Sequence, residues 1–273
     1  MSAPNAPSAI PSEAFDANAP FYRHVLQALA GAGVPFLVGG AFGSAAFTGI
    51  DRPTKDLDLF IRREDYERIA ALMRAHGYRA EMTFPHWLAK VYGDDGAFVD
   101  LIFNSGNGIL PVDDEWFAHG SDAVVLDVPV KAAPVEESLC SKAFIMERER
   151  FDGADVAHLL RACAESLDWQ RLARRFGPHW RVLLAHLVLF GFIYPADRDR
   201  VPRWLMDDLM ARLHHELAAP APDTNLCGGT LLSREQYLHD VEREGLQDAR
   251  AVCGTMTERD IDDWTQAIPG RAE

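Results

Sequence analysis

Several chemistries are missing from this chain. Its four cysteines, Cys140, Cys163, Cys227 and Cys253, are widely separated and form neither a CxxC pair nor a Cys/His zinc spacing, so no zinc ribbon or dithiol redox centre can be built. The opening stretch MSAPNAPSAIPSEAFDANAP has no Lys or Arg and no apolar run. It reads as an Ala/Pro/Ser-rich disordered tail rather than a signal peptide. Scattered cysteines and no leader together lead us to expect a reducing, cytoplasmic setting. A membrane span is not expected either. The longest apolar stretch, WRVLLAHLVLFGFIY from Trp180 to Tyr194, contains Arg181 and His186 and stops at Pro195, which suits a buried core helix better. No Walker lysine, HExxH or G-x-S-x-G occurs, which removes P-loop, zincin and serine-hydrolase readings.

Positive charge is also scarce. The 273 residues carry 41 acidic and 27 basic side chains, a net charge of −14. Such a surface repels phosphate backbones and anionic lipid, so neither non-specific DNA binding nor membrane association is expected. A nucleotide remains possible if a metal ion or a local basic pocket offsets the charge, and carboxylates are ligands for hard cations. The length suits one large domain or two small ones with a core of their own.

Along the chain, FYRHVLQALAGA (residues 21–32) has helical periodicity and a glycine stop, and VPFLVGG reads as a buried strand running into a turn. AFGSAAFTGI fits a tightly packed helix, and DRPTKDLDLFI a loop followed by a strand with alternating acids. EDYERIAALMRAHG is a helix with a glycine cap, followed by strands in YRAEMTF, HWLAKVYG and AFVDLIFN, the last two joined at GDDG. Short strands are expected in AVVLDV and PVKAA, and from Val135 onward the pattern is helical. The expected organisation is a disordered tail (1–20), a mixed α/β sheet domain (21–133), a helical domain (134–218) and a linker with a C-terminal extension (219–273).

The informative block is FLVGGAFGSAAFTGIDRPTKDLDLFI, residues 36–61. A strand that ends in Gly39-Gly40 and enters a helix exposes backbone N–H groups where an anion can approach closely. A tight packing turn would use the same glycines. Asp56 and Asp58, two apart in a strand, point to one face with Cα atoms roughly 7 Å apart, so their carboxylates can converge on divalent ions. A solvated acidic face is the plain alternative. Asp100 interrupts the apolar strand FVDLIF. If its strand lies beside that of Asp56 and Asp58, three carboxylates share one pocket, where they repel one another unless a cation is present. Mg²⁺ would complete them into an oxygen cage that a triphosphate closes.

A glycine pair, a helix, Gly49, then Arg52-x-Thr54-x-Asp56-x-Asp58 and a lone acid on a later strand resemble the nucleotidyltransferase (DNA polymerase β-like) superfamily. Its bacterial minimal, toxin- or antitoxin-type and antibiotic-modifying members are similar. The likeness covers about residues 21–104, with Gly43-Ser44 as a second candidate for the glycine turn. The resemblance implies an α+β fold, a polymerase-β-like mixed sheet with flanking helices followed by a helical half. It also implies two ions, Mg²⁺ or Mn²⁺, on Asp56 and Asp58, with Asp100 as a further ligand or as the base for an acceptor hydroxyl. Gly39, Gly40, Arg52 and Lys142 would hold the phosphates of an NTP such as ATP, the lysine because Lys142 with Arg148, Arg150, Asp152 and Asp155 looks like a helical element of the toxin-related members.

The implied reaction is transfer of NMP to an acceptor hydroxyl with release of pyrophosphate. The acceptor, whether small molecule, RNA 3′ end or protein, has no code in this sequence. A catalytically silent nucleotide-binding or toxin–antitoxin module and a metal-dependent phosphohydrolase are the competing readings. His86 and Lys90, on the strand before Asp100, alternate so that both could face the site, and the tryptophans suit packing.

Overall fold

Leu57 and Leu59 in LDLF, Val99 and Leu101 in FVDLI, and Ala89 and Val91 in LAKVY share one parity, and all six side chains are fully buried. Alternation sends the intervening Asp58, Asp100 and Lys90 to the opposite face. A computed structural model of the chain describes residues 13–50, 54 and 56–270 and divides it into two compact units, Met1–Pro134 and Val135–Glu273.

The first unit contains α1 (Glu13–Gly31), β1 (Leu37–Val38), α2 (Gly40–Thr48), β2 (Leu57–Phe60), α3 (Tyr66–Ala75), β3 (Arg79–Phe84), β4 (Leu88–Tyr92), β5 (Phe98–Ile102), α4 (Asp114–His119), β6 (Ser121–Val125) and β7 (Val128–Ala132). The strands form one mixed sheet in the order β3-β4-β5-β2-β1-β7-β6. Parallel pairs join β2 to β5 and β1 to β7; the other neighbours are antiparallel. Tyr22, Val25, Leu26 and Leu29 of α1 and Ile69, Ala70 and Met73 of α3 cover the leucine/valine face. Each large apolar side chain buried there contributes roughly 1.5–3 kcal/mol. On the other face the Phe60 ring packs on Trp116 of α4, with ring centroids 4.6 Å apart.

Two details depart from the sequence reading. The stretch taken as a disordered tail through residue 20 is helical from Glu13. Its Ala/Pro composition suggests disorder, but its last turns are anchored by Tyr22, whose phenol shares a hydrogen bond with Asn18. The strand expected in AVVLDV ends at Val125, and the β6–β7 turn has two non-glycine residues at positive φ, Leu126 (52°) and Asp127 (62°), the twist a two-residue hairpin requires. Arg23 of α1 holds this turn, its Nε donating to the Leu126 carbonyl at 3.0 Å.

The second unit contains α5 (Val135–Ala143), α6 (Gly153–Cys163), α7 (Trp169–Phe176), α8 (Trp180–Ile193), α9 (Arg203–Ala218), β8 (Leu226–Cys227), α10 (Leu238–Glu242), β9 (Gln247–Asp248), α11 (Ala249–Cys253) and α12 (Glu258–Gln266). The helix expected to run through Arg150 stops at Ala143, and Met146 and Phe151 pair across a turn. Glu147 in that turn accepts hydrogen bonds from Ser233 Oγ and from the Arg234 amide. These partners lie more than eighty residues away, beyond the reach of local periodicity. The region read as a linker and polar extension holds the parallel β8–β9 pair and three short helices, with Arg250 fully buried against Asp248.

Helix α5 turns two acids inward. Arg171 of α7 pairs with Glu136 at 2.8 Å and with Glu137, while Arg175 Nε reaches Glu137 at 2.7 Å. The Asp168 amide donates to the other Glu136 oxygen at 2.9 Å, so the buried charges are paired and hydrogen-bonded as burial demands.

Helix α8 is not wholly buried as expected. Trp180, Leu183, Leu184, Leu187 and Phe190 face inward, whereas Val188 and Phe192 are exposed. Among the described residues one stretch, Trp169–Ile193, is long and apolar enough to cross a membrane by length and composition. It is two helices joined by a 3₁₀ turn at Gly177–His179, and the first carries the buried Arg171.

Candidate active site

Strand β2 lies parallel to β5 with Asp58 opposite Asp100, and β5 lies antiparallel to β4 with Asp100 opposite Lys90. The register therefore lines up Asp58, Asp100 and Lys90 in one row across three adjacent strands. Asp56 precedes β2 on the same face, and its Oδ1 accepts a 2.7 Å hydrogen bond from Thr54 Oγ1. One carboxylate oxygen from each of Asp56, Asp58 and Asp100 lies within 4.8 Å of the others. At metal–oxygen distances of about 2.1 Å, octahedral coordination puts ligand oxygens about 3.0–4.2 Å apart. With small side-chain movements the set could close on an ion of that size, and its all-oxygen chemistry is of the kind that suits hard cations.

The glycine turn abuts this row. Gly39 caps α2, and its amide donates to the Asp58 carbonyl at 2.9 Å. Gly40 begins the helix at φ +56°, and a Cβ built there would sit 1.7 Å from Asp58 Oδ2. A Cβ on Gly39 would sit 2.2 Å from the Phe60 ring. A side chain at either position would force Asp58 or Phe60 to move. The alternative pair, Gly43-Ser44, lies inside α2, where Gly43 packs against the Val38 carbonyl. The N-terminus of α2, where an anion can approach a helix closely, therefore lies beside Asp58.

The negative field is concentrated. Burial pushes the Asp100 carboxyl up; the hydrogen bond and charge of Lys90 pull it back, and Asp56 adds to the rise, so it lies above the usual carboxylate range. Tyr22 is raised as well, first by burial and further by the charges of Asp56, Asp100 and Asp58. Lys90 Nζ is 2.5 Å from Asp100 Oδ1 and 3.9 Å from the centre of the Phe98 ring. Sequence alternation had offered Lys90 and His86 equally. The structure brings Lys90 onto the acids and sets the His86 ring 3.2 Å from the Gly106 carbonyl instead.

Arg52 and Lys142 are the other two phosphate ligands expected from the sequence. Arg52 lies outside the described residues. Lys142 belongs to α5 in the second unit, with its ammonium 2.7 Å from Asp155 and 3.5 Å from Asp152. Asp152 is also held by Arg150 at 2.8 Å. Burial pushes its carboxyl up, but Arg150 and Lys142 outweigh that and hold it below the usual range.

A family model described as "Uncharacterised nucleotidyltransferase" matches residues 22–187. The chain belongs to this nucleotidyltransferase family. The match takes in the glycine turn, all three acids and Lys90. No curated protein matches the nucleotidyltransferase in sequence. Among solved structures, the antibiotic-resistance factor ANT(2'')-Ia is 17% identical, with a TM-score of 0.42 over 63% of this chain and 97% of that one. The lincosamide antibiotic adenylyltransferase LnuA, solved with lincomycin bound, is 16% identical with a TM-score of 0.39 over 56% and 98%. JHP933 from Helicobacter pylori is 12% identical with a TM-score of 0.38 over 77% and 99%. At these TM-scores the family assignment rests on the 22–187 match.

Proposed function

We propose that this nucleotidyltransferase is metal-dependent and moves NMP from an NTP to an acceptor hydroxyl, releasing pyrophosphate. The observation that carries this reading is the convergence of Asp56, Asp58 and Asp100 from adjacent strands beside a glycine-led helix N-terminus. Mg²⁺ or Mn²⁺ held by these carboxylates would supply charge neutralisation at the α-phosphate and at the departing oxygen. The acceptor oxygen forms a bond to the α-phosphorus while the bond from that phosphorus to the pyrophosphate oxygen breaks. Asp100 either completes the ligand set or accepts the hydroxyl proton. Thr54 fixes the orientation of Asp56 through its hydrogen bond. Gly39, Gly40 and the first turn of α2 receive the phosphates, and positioning and electrostatics do most of the work.

Arg52 and Lys142 are proposed as further phosphate partners, Lys142 by exchanging Asp155 for phosphate. All four cysteines are free, which suits the proposed cytoplasmic setting. A small-molecule hydroxyl, an RNA 3′ end and a protein side chain are the acceptor classes to be tested. Incubation of the protein with labelled NTPs, Mg²⁺ and cell extract is expected to label an acceptor and release pyrophosphate. The Asp56→Ala/Asp58→Ala double variant should abolish transfer, and equal labelling by both proteins would refute the mechanism.

A further inference from the structure

Two divalent ions are what the resemblance of the sequence implies, yet the row of charges across the sheet contains a cation already. We infer that Lys90 takes the place of the second ion, so that the acid cluster holds one divalent ion rather than two. This rests on the proposed function of the same site. Register puts Lys90 directly opposite Asp100, as Asp100 is opposite Asp58. The ammonium contacts Asp100 Oδ1 at 2.5 Å, and the Phe98 ring lies beneath it at 3.9 Å. Lys90 and Asp100 are largely buried, with side chains 19% and 13% exposed, so water screens the pair poorly. Among the described residues, three carboxylates beside one ammonium leave two negative charges, which a single divalent ion neutralises. A second ion bridging to Asp100 would meet the lysine charge in a poorly screened site, where like charges repel strongly.

Asp100 still offers an oxygen to the shared set, and the three acids remain able to surround one ion. Lys90 is thus a positioning residue. It compensates charge and orients the Asp100 carboxylate without being a metal ligand itself.

The test is a titration of Mn²⁺ alone into the full-length protein, with bound ions counted by loss of the free-ion EPR signal. The wild type is expected to bind one ion at the site. Lys90→Met and Lys90→Gln are expected to bind two, with the magnetic coupling of a close Mn²⁺ pair in the spectrum. Lys90→Arg, which keeps the charge, should return to one. Two neutral replacements of different polarity guard against misfolding of either one, and circular dichroism checks each. Two coupled ions in the wild type would overturn the inference while leaving the proposed function standing. A single ion in both neutral variants would overturn it equally. No bound ion in any of the proteins would overturn the proposed function and the inference together.

Discussion

Replacing Gly40 by alanine perturbs the site through a single methyl group. The backbone there has φ +56°, and a Cβ would lie 1.7 Å from Asp58 Oδ2, where real contacts do not fall below 3.0 Å. Either the Asp58 carboxylate or the turn must move by about 1.3 Å, the difference between those two distances. Left-handed backbone at a non-glycine residue adds roughly 1–2 kcal/mol of strain. We expect Gly40→Ala to lose about 1–3 kcal/mol of stability, which for a unit of this size lowers Tm by about 3–15 °C. The functional loss should be larger in proportion, because misplacing a reacting group by about 1 Å can reduce rate roughly 100-fold.

Gly49 supplies the control. It has the same kind of backbone, φ +67°, but a Cβ there meets nothing within 4 Å. Gly49→Ala should therefore show the strain, about 1–2 kcal/mol, without the functional loss. Thermal unfolding measures the first effect and pyrophosphate release the second. If the two variants lose stability equally and both keep full transfer activity, the close approach of Gly40 to Asp58 has no functional meaning.

Other consequences follow from the second unit. Glu137→Gln removes one charge from the buried Glu136–Glu137–Arg171–Arg175 cluster and leaves Arg171 under-compensated. Breaking a buried pair in this way is expected to cost about 3–5 kcal/mol, readable as a fall in the urea midpoint, and an unchanged midpoint would show that the cluster carries no net stability. Asp152, held below the usual carboxylate range by Arg150 and Lys142 against the effect of burial, sets a pH dependence. For such a depressed acid the stabilisation is present above the unfolded-state value and is lost as pH falls through the folded-state value. Asp152→Asn should therefore be less stable than wild type at pH 7, with the gap closing in strongly acidic solution; a gap independent of pH would refute the ion-pair account.

The sheet was legible because its strands carry strict alternation. Leu57 and Leu59, Val99 and Leu101, and Ala89 and Val91 could share one buried face only if Asp58, Asp100 and Lys90 shared the other. Spacing alone could not say that β2 and β5 are parallel neighbours; that rests on strand order. Lys90 was visible as the one charged residue in LAKVY, but its pairing with Asp100 needed the register. The glycine turn was ambiguous in sequence because Gly39-Gly40 and Gly43-Ser44 both precede the acids. The turn from β1 into α2 falls at Gly39-Gly40, because the helix starts there. The end of α5 and the structure beyond residue 219 depend on distant partners, Glu147 with Ser233 and Arg234 for example, and no local pattern encodes them.

Strand β1 has only two residues, yet it stands inside the sheet between β2 and β7. Its link to β7 is the single pair Val38–Ala132, extended by the Ala133 amide donating to the Val38 carbonyl at 2.8 Å. The glycine turn begins at the very next residue. As the chain leaves the ribosome, Leu37 and Val38 can meet β2 early but must wait for Val128–Ala132 to emerge before the second flank closes. Until then the glycine turn hangs from an edge strand. Completion of the frame that carries the glycine turn is therefore tied to the last strand-forming segment of the first unit, and a nascent chain short of it carries all three aspartates on an unfinished sheet.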